Sequence, residues 1–102
     1  MATLVQDNRD LNRYEVFDGG ELAGFATYAR SAGSIAVKHT EVDDQFEGRG
    51  IGSALARGIL DAARDDGLVV LPYCPFTAGY IRGHREDYLD LVPADKRAEF
   101  DL

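Results

Sequence analysis

One cysteine is all the chain has, which excludes an internal disulfide framework. One cysteine and two histidines are also too few for a Cys/His metal centre, so no metal is expected. A lone thiol suits a reducing compartment, and the expected location is the cytoplasm. Long apolar runs are missing as well. No stretch approaches a membrane span, and the N-terminus has no signal-peptide core. Basic residues are scarce, 11 Lys and Arg against 18 Asp and Glu, for a formal charge of −7. That balance argues against nucleic acid and anionic membrane as partners and favours a cationic one, although acidity also serves solubility. No repeat, low-complexity tract or linker interrupts the 102 residues, which read as one domain, 1–102. With 45% hydrophobic residues in regular patterns, the chain should be globular.

What is present is a glycine-rich stretch, Phe46-Glu47-Gly48-Arg49-Gly50-Ile51-Gly52-Ser53, that runs into apolar positions of helical period. Ile51, Ala54, Leu55, Gly58, Ile59 and Ala62 share one helix face. The spacing predicts a helix over 50–66 with Gly67 as its C′ residue. Upstream, residues 13–17 and 21–30 read as strands around the turn Asp18-Gly19-Gly20, with Gly24 marking a bulge or close packing. After Ser31-Ala32-Gly33, residues 34–42 form the next strand, with Ile35, Val37, His39 and Glu41 expected on one face. Residues 1–12 show only the short apolar pair Leu4-Val5, and no element is assigned there. Downstream, 68–73 is a nearly continuous apolar run suited to a strand buried on both faces. Strand, helix and strand imply a parallel pair with a right-handed crossover. Cys74-Pro75-Phe76 opens a second helix reaching about Gly83, with Cys74 at or near its N-cap. A turn or short helix follows at 84–88, then a final polar helix over 94–100 and an acidic, frayed C-terminus. The fold class is therefore α/β (α+β): a mixed, mostly antiparallel sheet with a parallel pair around a central helix.

Glycines before a helix let a ligand approach the backbone, and the first helical N–H groups have no internal partner. With the macrodipole, they suit phosphate oxygens. A Walker loop is disfavoured because no lysine follows these glycines, and a dinucleotide fingerprint because the spacing is G-x-G-x-G behind an antiparallel meander. Glu47-Gly48-Arg49-Gly50-Ile51-Gly52 instead resembles the pyrophosphate loop of GNAT-superfamily N-acetyltransferases, Q/R-x-x-G-x-G/A, with Glu47 where Gln or Arg is usual. His39-Thr40-Glu41-Val42 ending a strand, the glycine loop, and Cys74-Pro75-Phe76 followed by Tyr80-Ile81 and His84 together resemble the small single-domain branch of that superfamily. The likeness runs from the first strand to about Val92, and Arg85 stands where many relatives have proline.

The resemblance implies a GNAT-like acyl-CoA N-acyltransferase fold, acetyl-CoA (coenzyme A) as cofactor and an amine acceptor: protein lysine, polyamine or small metabolite. It also implies that the pantetheine arm lies between the strands 34–42 and 68–73 where they splay apart. Val42, Gly48, Arg49, Gly50, Ile51, Gly52 and Ser53 would then line the coenzyme site. Arg82, His84 and Arg85 form the only basic cluster and either meet the coenzyme's 3′-phosphate or are a solvated helix end. Cys74 either accepts the acetyl group, lines the channel, or is a small buried hydrophobe; a thiol at a helix N-terminus has its thiolate stabilised. On composition alone His39 reads as a hydrogen-bonded residue of an apolar face, whereas the resemblance makes it the general base or the partner activating Cys74. Glu41 is expected to act through a water or to fix the His39 tautomer. Tyr80 is either packing or the proton donor to the coenzyme sulfur. Such small proteins lack N-terminal helices, so the acceptor groove should be open or completed by a partner. The expected activity is acetyl transfer to an amine by a monomer or weak dimer; the alternative is a CoA-binding module without turnover.

Overall fold

The computed structural model describes residues 3–102. Five strands, β1 (Thr3–Asn8), β2 (Arg13–Asp18), β3 (Glu21–Ser31), β4 (Ser34–Val42) and β5 (Val69–Pro72), form one sheet in chain order. β1 to β4 are antiparallel, and β5 joins β4 in parallel after the crossover helix α1 (Ile51–Asp65). α2 (Pro75–Gly83) and the short α3 (Arg85–Tyr88) follow, then 3-10 turns at Leu89–Leu91 and Ala94–Phe100. The hairpin between β2 and β3 closes because Gly19 and Gly20 both take positive φ, 60° and 87°. This is the mixed sheet expected from the sequence.

α1 lies across all five strands and buries Ile51, Ala54, Leu55 and Ile59, joined by Ala56, Leu60 and Ala63. The apolar stripe is wider than the periodicity alone suggested because the helix packs on all five strands rather than along one seam. Gly58 has a specific reason to be small: a Cβ there would sit 2.8 Å from Val5 Cγ1. That contact seats β1, the element left unassigned above, against the helix. β1 is also tied by the Tyr28 hydroxyl, which donates to Asp7. Its polar sequence hid it, because Gly58 and Tyr28, which anchor it, lie on other elements.

Two β-bulges shape the sheet. Register moves from Val16↔Gly24 to Phe17↔Leu22, leaving Ala23 as the extra residue of β3. Gly24 is also a close approach, since a Cβ would lie 2.6 Å from the Glu41 carbonyl oxygen. The second bulge lies between Thr27↔His39 and Tyr28↔Val37, making Lys38 the extra residue of β4. One extra residue inverts the alternation beyond it. The expected single face of Ile35, Val37, His39 and Glu41 is thus corrected. Ile35 and Val37 are buried under α1, whereas His39 and Glu41 stand exposed on the opposite face. Cross-strand neighbours place Arg13, Glu15, Phe25 and Thr27 on that same face, which stays largely open apart from Glu15 beneath Arg13 and Asn8.

The C-terminal end differs from the expectation too. The expected helix over 94–100 is a 3-10 helix, and the last residues are docked rather than frayed. Phe100 is buried and meets Tyr73 edge-on, with centroids 5.1 Å apart. Arg82 donates to the carbonyls of Phe100 and Asp101, both at 3.0 Å, and Arg85 to that of Leu102 at 3.1 Å. Closer to the helix, Arg64 forks onto Asp90 at 2.8 and 2.9 Å and the Tyr88 hydroxyl donates to Asp61 at 2.8 Å, clamping α3 to the end of α1.

Candidate functional site

The glycine loop, the start of α1, the end of β4 and the start of α2 converge. Gly48 and Gly50 have φ of 81° and 72°, and nothing lies within 4 Å of a Cβ built on either. These left-handed positions favour glycine and leave open space over the loop. Gly50 caps α1 without any side-chain hydrogen bond, and no acidic residue stands in the first turn. The first bond into the helix is the Ala54 N–H to the Gly50 carbonyl, at 3.0 Å. The N–H groups of Ile51, Gly52 and Ser53 therefore have no helical partner and, with the macrodipole, fit an anionic diphosphate. The side chain of Ile51 is buried, so only its main chain serves; Ser53 is exposed.

Arg49 is held by Asp18 at 3.1 Å and lies over the Phe46 ring, 5.4 Å from its centroid. It is neither a merely solvated arginine nor wholly committed, with 57% of its side chain exposed. Asp18, by contrast, is buried. The pair links the β2–β3 hairpin to the glycine loop and fixes the loop's shape.

Pairing between β4 and β5 ends at Val37↔Pro72, and Lys38 to Val42 continue without a β5 partner. The two strands separate there, and Cys74 sits at the fork, its N–H donating to the Val37 carbonyl at 2.9 Å. Pro75 at the first helical position makes Cys74 the N-cap of α2. The next residue, Phe76, covers Gly52, where a Cβ would lie 2.8 Å from the ring, so α2 begins beside the start of α1. Cys74 is buried, with its thiol 3.3 Å from the Thr40 hydroxyl. Burial pushes its pKa up, but the Thr40 hydroxyl and the nearby polar groups of Thr77 and Phe76 at the start of α2 favour the thiolate more and bring it below the ordinary thiol value.

His39 is not the partner of Cys74; the partner is Thr40, its neighbour on the other side of the strand. The bulge at Lys38 is the physical reason, because it turns Thr40 and Val42 toward the helices and His39 and Glu41 away. His39 Nε2 lies 3.7 Å from Glu41 Oε2, and both side chains are about 60% exposed (62% and 60%). Val42 and Glu41 also line a cleft of about 230 Å³ with Leu22, Ala23, Gly24, Phe25 and Asp43. Tyr80 stacks on His84, ring centroids 4.1 Å apart, and tilts against Tyr88. His84 Nδ1 is 2.8 Å from the Tyr80 carbonyl oxygen. Arg82 and Arg85 hold the C-terminal carbonyls, so the basic cluster is neither a bare helix end nor a set of unengaged cations.

Thr40, Asp18, Phe76 and the β3 residues 22–25 were given no role at the site from the sequence, although Thr40 and Phe76 stood in its motifs and Gly24 was read as a bulge or close approach. Thr40 carried a signal in lying beside His39, but the inverted alternation hid its side. Asp18 read only as a turn residue. Among the described residues no group of His, Cys, Asp and Glu is placed to hold a metal ion, and no helix is long and apolar enough to cross a membrane.

A family model described as GCN5-related N-acetyl-transferase matches residues 13–91. No curated protein matches the chain. Among solved structures, Ard1 from Thermoplasma volcanium is similar at 24% identity and a TM-score of 0.51. The similarity covers 58% of this chain and 41% of that one, so this chain spans about two-fifths of that protein's length and the likeness concerns the fold.

Proposed function

The chain belongs to the GCN5-related N-acetyltransferase family, and we propose that it moves an acetyl group from acetyl-CoA to an amine. The observation that carries this reading is the uncapped start of α1 behind two left-handed glycines, opening beside the fork where β4 leaves β5. Main-chain N–H groups of residues 48–53 would hold the diphosphate, with Arg49 positioned by Asp18 at the loop's flank. The coenzyme, when bound, supplies an acetyl thioester. Cys74, at the fork with a depressed pKa, is the residue suited to take the acetyl group before its transfer. His39 and Glu41, exposed on the open face, would take the proton of an amine entering from that side. The acceptor would then approach from the side opposite the helices.

Intact-protein mass after incubation with acetyl-CoA tests the Cys74 step. The expected result is one acetyl adduct that is lost on adding an amine and absent in Cys74→Ala. An unmodified Cys74 with turnover in an amine-acceptor screen would mean direct transfer. A second reading has its own support: Glu47 replaces the usual loop residue, and the face bearing His39 and Glu41 is uncovered. On that reading the protein binds CoA without turning it over. Tight CoA binding with neither adduct nor turnover would select it.

A further inference from the structure

We propose that Thr40 is a positioning residue for the Cys74 sulfur, its hydroxyl fixing the sulfur at the fork between β4 and β5 and favouring its ionisation there. The inference deepens the function proposed above and rests on its placing of Cys74 in the transfer site. Three features carry it. The bulge at Lys38 turns Thr40 toward the helices, where strict alternation would have turned it out. Its hydroxyl then meets the sulfur at 3.3 Å from the strand side, opposite the N–H groups that α2 presents from the helix side. The main chain of Thr40 is paired with Ala26 across the sheet, which fixes the hydroxyl's origin.

In the neutral state the thiol donates to the Thr40 oxygen. Once the sulfur has given up its proton, the hydroxyl rotates and donates to the anion, so the same contact favours the charged form. Charged groups do not replace it. His39 and Glu41 on β4 face away, the first turn of α1 has no acid, and the first charge on α2 is Arg82, near its far end. A valine at position 40 keeps the shape and removes only the hydroxyl.

The test follows the one thiol of the chain, and a Cys74→Ala blank removes the absorbance of the five tyrosines. Thiolate absorbance and the rate of alkylation by iodoacetamide are measured against pH in the wild type, Thr40→Val, Thr40→Ala and Thr40→Ser. Losing one hydrogen bond to a charged group should slow alkylation near neutral pH roughly tenfold in the Val and Ala variants and move the titration midpoint up. The Ser variant should stay close to the wild type. If Val destabilises the fold, Ala carries the same expectation. An unchanged midpoint in a folded hydroxyl-free variant overturns the proposal, and so does a Ser variant displaced as far as Val. The titration needs no coenzyme, so its outcome is separate from that of the acetyl-adduct experiment. A shifted midpoint with no adduct on Cys74 retains the role of Thr40 in the thiol's ionisation and overturns its role in transfer.

Discussion

Asp18 shows how far from the glycine loop the loop's shape is decided. A buried carboxylate on the β2–β3 hairpin grips Arg49, so Asp18→Ala should loosen the loop and cost about 1–3 kcal/mol, read by chemical denaturation together with a smaller CoA-induced rise in melting temperature. Gly50→Asp should abolish the CoA response, because position 50 sits at φ 72° and an acid there opposes an anionic ligand. Two phenols carry a pH signature. Tyr28 and Tyr88 are pushed up to about 12, by burial first and then by the Asp7 and Asp61 carboxylates to which they donate. An unfolded tyrosine ionises near ~10. Their contribution, on the order of 2 kcal/mol each, is therefore full below that pH and lost as pH rises toward 12. Denaturant midpoints measured across the alkaline range should fall, and Tyr28→Phe or Tyr88→Phe should flatten the fall while lowering stability at neutral pH.

Among the elements, β1 depends on a missing side chain. Gly58→Ala improves helix propensity, yet its methyl would press into Val5 at 2.8–3.1 Å, so the net expectation is a loss of about 1–3 kcal/mol. Hydrogen exchange should localise that loss to β1, whose outer edge has no further strand among the described residues. The same contact explains what was legible beforehand. The meander, α1, β5 and the proline-started α2 announce themselves through turn residues, period and capping, all local signals. β1 does not, since Val5 and Asp7 find their partners on α1 and β3. The bulge at Lys38 leaves no mark in the residues around it, and that single slip misassigned His39 and Glu41 while concealing Thr40. Equally silent were the docked last residues, because their anchors, Arg82 and Arg85, lie on other elements and read as free cations until the chain folds back.

For the whole molecule, the coenzyme should act as a staple joining hairpin, loop, α1 and α2. CoA at about 100 times its dissociation constant should stabilise by ~2.7 kcal/mol, several degrees for a domain of this size, with NAD and ATP giving less. An equal response to all three ligands would argue against the coenzyme assignment. The extra residue in β4 has a wider consequence. Downstream of Lys38, odd and even positions of one strand report to different solvents, His39 and Glu41 to bulk water and Thr40 and Val42 to an interior seam. On the proposed function, Thr40 would serve the thiol side and His39 the acceptor side, with Glu41 and Val42 meeting at the cleft beside β3. An engineer replacing His39 to admit a bulkier nucleophile should therefore leave the Thr40 contact to the thiol untouched.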